Sequence, residues 1–104
     1  MAKAKVTGST TVYSATAWWR DSDPSMGCIA LTAKKAQSKC EALMKDAARS
    51  ARDDGSYRSI NAALDDIAWS GVHAFALKDL ASARELGEAV ADLESQGYWY
   101  PPGY

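Results

Sequence analysis

Alanine outnumbers the large aliphatic core formers in this chain: 20 Ala stand against 15 Leu, Ile, Val and Phe combined, in 104 residues. Such a sequence cannot fill a thick core with branched side chains. Its elements must approach closely enough for methyl-to-methyl contact, with a few large side chains filling the gaps. A low aliphatic fraction signals disorder only when net charge is high and rings are scarce. Here 12 basic and 13 acidic residues leave a net charge of −1, and the chain carries Trp 4, Tyr 5 and Phe 1. The expectation is therefore one compact domain.

Periodicity places the elements. Thr10 to Trp19 is β-branched and aromatic. Alternation sets Tyr13, Ala15, Ala17 and Trp19 on one face and Val12, Ser14, Thr16 and Trp18 on the other. Arg20 to Met26, with Asp, Ser and Pro24, reads as a turn, and Gly27–Leu31 as the second strand of a hairpin. Thr32 is the expected N-cap of a long helix to about Asp54. On it Ala33, Ala36, Cys40, Leu43, Met44, Ala47 and Ala51 share an apolar arc opposite a basic face. Ile60, Ala63, Leu64, Ile67 and Ala68 repeat at helical spacing and predict a helix over 59–70, stopped by Gly71. Val72–Leu77 reads as a short strand. Asp79 is the expected cap of a last helix to Gln96, with Gly97 beyond it.

The resulting expectation is an α+β fold of order β-β-α-α-β-α. Amphipathic helices pack on one face of an antiparallel sheet. Residues 1–9 read as a flexible leader, 10–97 as the domain and 98–104 as an aromatic, proline-containing tail. A basic start (Met1-Ala-Lys-Ala-Lys) without a following apolar run does not make a signal peptide, and no window approaches a membrane span. With two cysteines outside any Cys-x-x-Cys spacing, the expected setting is cytoplasmic, with no membrane.

Charge is distributed unevenly. Residues 1–52 hold nine basic and four acidic side chains (+5), and residues 53–104 hold three and nine (−6). Six of the basic residues, Lys34, Lys35, Lys39, Lys45, Arg49 and Arg52, lie on one side of the long helix. They can steer an acidic partner or neutralise phosphates, or simply form a solvated face that attracts the acidic half.

Catalytic signatures are sparse. His73 is the lone histidine and lies in an apolar stretch, where a structural imidazole is the plain reading. The sharper alternative pairs it with Cys28 or Cys40 as nucleophile. Two cysteines and one histidine without close spacing do not build a zinc site, so neither metal nor cofactor is expected. The adjacent carboxylates Asp53-Asp54 and Asp65-Asp66 do not converge on one point if helical. The rings carry more information. Trp18 and Trp19 point to opposite sides of a strand. Trp69 falls opposite the apolar stripe of its predicted helix, and Trp99 lies in the tail. Tryptophan is a favoured interface anchor, although a chain this poor in aliphatics also needs rings as core plugs.

In size, single α+β domain, absence of a catalytic motif, and aromatic and charged patches, the chain resembles small phage or mobile-element proteins that disable host defences, such as anti-CRISPR proteins. The resemblance implies a non-enzymatic inhibitor that occludes a surface on a larger protein or ribonucleoprotein complex. The expected contact set is Trp18, Trp19, Trp69 and Trp99 with the six basic residues of the helix. A nucleic-acid-binding accessory protein using helix 32–54 is the first alternative, and a small Cys/His enzyme the second. Monomer and homodimer are both compatible with these readings.

Overall fold

A computed structural model describes residues 5–21 and 26–101. Strand β1 (Thr11–Trp19) and strand β2 (Met26–Ala30) form the expected antiparallel hairpin, with Tyr13 opposite Ala30 and Ala17 opposite Met26. Much of the expected turn between them lies outside the described residues. Helix α1 (Ala33–Asp53) starts where Thr32 accepts a hydrogen bond from the Lys35 amide.

The second half departs from the periodic reading. Helix α2 (Ile60–Asp65) is one short unit, capped by the Ser59 hydroxyl. Ile67–Ala76 is a ten-residue strand, β3, and not the continuation of that helix. Ile67 and Ala68 keep helical spacing with Ile60 and Leu64 by coincidence. Pairing along β1, from Trp19 opposite Ile67 to Thr11 opposite Ala76, outweighs one more helical turn. Gly71 does not stop a helix. It lies inside β3 at φ +78°. There Ser70 and Gly71 together face Thr16, because Ala15 pairs with Val72 and Ala17 with Trp69. This is a β-bulge, and glycine supplies its left-handed residue without steric cost. The Ser70 hydroxyl accepts a hydrogen bond from the Thr16 amide at 3.1 Å, which satisfies a donor at the irregularity.

The last expected helix is two. Helix α3 (Leu77–Leu80) contains Asp79 instead of being capped by it. Helix α4 (Leu86–Gln96) follows a capping box in which the Ser82 and Glu85 amides each donate to the other's side chain. Gly97, at φ 84°, ends α4 as expected. Beyond it Tyr98–Trp99 adds strand β4 to the sheet, so this part of the expected tail belongs to the domain. At the other end Val6 is buried and its amide donates to Glu94, so the ordered domain reaches into the expected leader.

The sheet is antiparallel throughout, in the order β3-β1-β2-β4. Helices α1 and α2 cover one face. The buried layer between is mostly of small residues: Ala15, Ala17 and Ala30 from the strands against Ala36, Cys40, Ala48, Ala51 and Ala63 from the helices, with Ile67 of β3 the one large aliphatic among them. The opposite face carries a second cluster, joining Val12, Ile29 and Trp99 to Leu77, Ala89 and Leu93. The single covered face expected from sequence is thus joined by a second, covered over part of its area by α3 and α4.

Candidate functional site: a lysine and tyrosine surface

Helix α1 runs past the edge strand β4, and its first turns carry Lys34, Lys35 and Lys39. The Lys39 ammonium lies 4.3 Å from the centre of the Tyr98 ring, and that of Lys35 lies 5.9 Å from it. Tyr98 meets Tyr100 edge to face at 5.3 Å, and Tyr100 is 42% exposed. Each cation–ring contact at such an exposed place contributes roughly 0.5–1 kcal/mol. Partial burial, with Cys28, Tyr98 and Asp46 nearby, raises the Tyr100 phenol above its ordinary value, so its hydroxyl stays a neutral donor. Thr32, Lys34, Lys35 and Ser38 line an open depression beside this group.

The expected six-residue basic face divides in two. Arg49 pairs with Asp46 at 3.3 Å and Arg52 with Asp53 at 2.8 Å. Among the described residues no carboxylate forms an ion pair with Lys34, Lys35, Lys39 or Lys45. Three of these four unpaired lysines sit in the N-terminal half of α1, two of them against Tyr98, and Lys45 lies past the middle of the helix. Exposed arginine pairs contribute little to stability, but they leave those guanidinium groups less free for a partner.

The tryptophans separate. Trp99 is fully buried at the centre of the second core cluster, which removes it from the expected contact set. A chain short of aliphatic volume uses this ring as a plug. Its Nε1 has no hydrogen-bond partner among the described residues. Trp19 is half-buried and stacks on Tyr57 at 5.5 Å, so its face is occupied. Trp18 is half-buried on the opposite face of the sheet. Trp69 is 41% exposed, on β3 and not on a helix. The fold brings none of these indoles to the lysines. Tyr98 and Tyr100 take that place. Phe75, 40% exposed on β3, is a further ring that sequence reasoning did not single out.

The cysteines and histidine do not converge. Cys28 and Cys40 are buried on the α1 side of the sheet, whereas His73 pairs with Ser14 on the other side. Burial pushes the Cys28 thiol up to about 11 and raises that of Cys40. Both are therefore protonated at neutral pH, the unreactive form. The exposed His73 ring bonds the Ser70 carbonyl at 2.8 Å. Tyr57 donates a short hydrogen bond to Asp66, which raises its phenol and ties the loop after α1 to the start of β3. Among the described residues no group of three His, Cys, Asp or Glu side chains could hold a metal ion, and no helix is long and apolar enough to cross a membrane.

The chain matches no protein-family model, and neither a curated protein nor a solved structure shows significant similarity to it.

Proposed function

We propose that the protein is a non-catalytic binding module that occludes an acidic surface on a larger protein or protein–RNA assembly, in the manner of the small defence inhibitors it resembles in size and composition. The observation that carries this reading is the convergence of Lys35 and Lys39, free of carboxylate partners among the described residues, on Tyr98, whose ring in turn meets the exposed Tyr100. Unpaired lysines steer association, and a half-exposed tyrosine supplies apolar area with little side-chain freedom to lose. The test is affinity capture from the source cells with the wild-type chain and with a Lys35→Glu/Lys39→Glu/Tyr100→Ala variant. The expected outcome is a captured complex that the variant loses while unfolding at an unchanged temperature. Undiminished capture by the variant overturns the reading.

The same lysines support a second reading, contact with nucleic-acid phosphates and stacking of a base on Tyr100. Titration with a single-stranded oligonucleotide across salt separates the two. Affinity that falls steeply with salt favours nucleic acid, and no binding at low salt removes it.

A further inference from the structure

We infer that the free edge of β3 is a self-association surface, and that its occupant is β3 of a second copy of this chain. In the strand order β3-β1-β2-β4, β3 is an outer strand, ten residues long, whose outward backbone groups meet no other strand among the described residues. Such an edge is a template for pairing unless charge, proline or cover blocks it. From Ile67 to Ala76 there is no Lys, Arg, Asp, Glu or Pro, and Trp69 and Phe75 are exposed on it. The only interruption is the Ser70–Gly71 bulge, which leaves Val72–Ala76 as a regular run.

A second copy is the occupant that this composition favours. An antiparallel pair about a two-fold axis through Ala74 sets Val72 opposite Ala76 of the second copy and His73 opposite its Phe75. Each pair then shares a sheet face, and no like charges meet along the strand. The arrangement also closes. The other edge, β4, is only two residues long, and the Gln96 side chain caps its Tyr98 carbonyl at 3.1 Å. Pairing therefore stops at an eight-stranded dimer and does not continue into a fibre.

Sedimentation equilibrium of the full chain tests this, with Ala74→Lys and Phe75→Lys as variants. Both positions are exposed, and the fold of each variant is checked by its far-ultraviolet circular dichroism and by thermal unfolding at a concentration where the wild-type chain is monomeric. Ala74→Lys sets like charges opposite each other at the two-fold axis, and Phe75→Lys replaces an exposed ring by the charge that guards natural edges. The expected result is a wild-type dimer of twice 11.2 kDa at micromolar to submillimolar concentration. Each variant is expected to weaken the dimer at least about tenfold. A wild-type chain that stays monomeric over that range overturns the inference, as does a dimer that survives both substitutions.

Discussion

Cys28 couples the buried layer to pH. Its thiol, removed from water behind β2, stays protonated up to about pH 11, whereas in the unfolded chain it ionises near 9. Between those values the folded state holds a proton that the unfolded state has lost. Stability contributed by this group is therefore complete below pH 9 and declines as pH rises toward 11, by at most about 2–3 kcal/mol. Urea midpoints measured from pH 8 to 11 should fall more steeply for the wild-type chain than for Cys28→Ala. Equal slopes would show that the thiol does not carry the effect. The same burial that makes Cys28 sensitive to alkali makes it a poor nucleophile at neutral pH.

The bulge of β3 shows how one element is held in register. Gly71 has φ +78°, and a methyl group built on it would meet no atom within 4 Å, so an alanine there is opposed by backbone strain alone. Gly71→Ala is expected to cost about 1–2 kcal/mol in urea unfolding, with an unchanged dependence on urea concentration. A larger loss would mean that the Ser70 hydroxyl had also left the Thr16 amide. This strand is also where the sequence misleads most. Helix α1 is legible because Thr32 caps it and its apolar residues keep one period for more than five turns. The hairpin is legible to within a residue at each end of its strands. Ile60 to Ala68 keeps the helical period too, but only its first six residues are helical. A local pattern does not record that β1 offers a partner for the rest. Strand β4 has no periodic signal in two residues beside Pro101 and Pro102. The lysines of the site are legible in the helical period of residues 32–54. Their company was not, because the passage of Tyr98 and Tyr100 beside α1 is a property of the assembled sheet.

At the scale of the whole molecule, the two sides of the sheet are built differently. The fully buried part of one side is built from leucines, valines and an indole, and that of the other is mostly alanine, a seam of methyl groups under α1 with larger side chains around it. In a seam of this kind an added side chain has no slack to enter. Ala36→Leu, at a fully buried position of α1, is expected to cost about 1–3 kcal/mol by overpacking, read as a lowered urea midpoint. A neutral result would mean that the layers can separate without loss. The thinness of that seam also sets the height at which the helix rides. Alanine there works as a shim: thicken it, and the N-terminal lysines rise with the helix away from the rings beside them. A substitution deep inside the molecule, with no contact to the surface, would then detune a cation–ring distance that is now 4.3 Å.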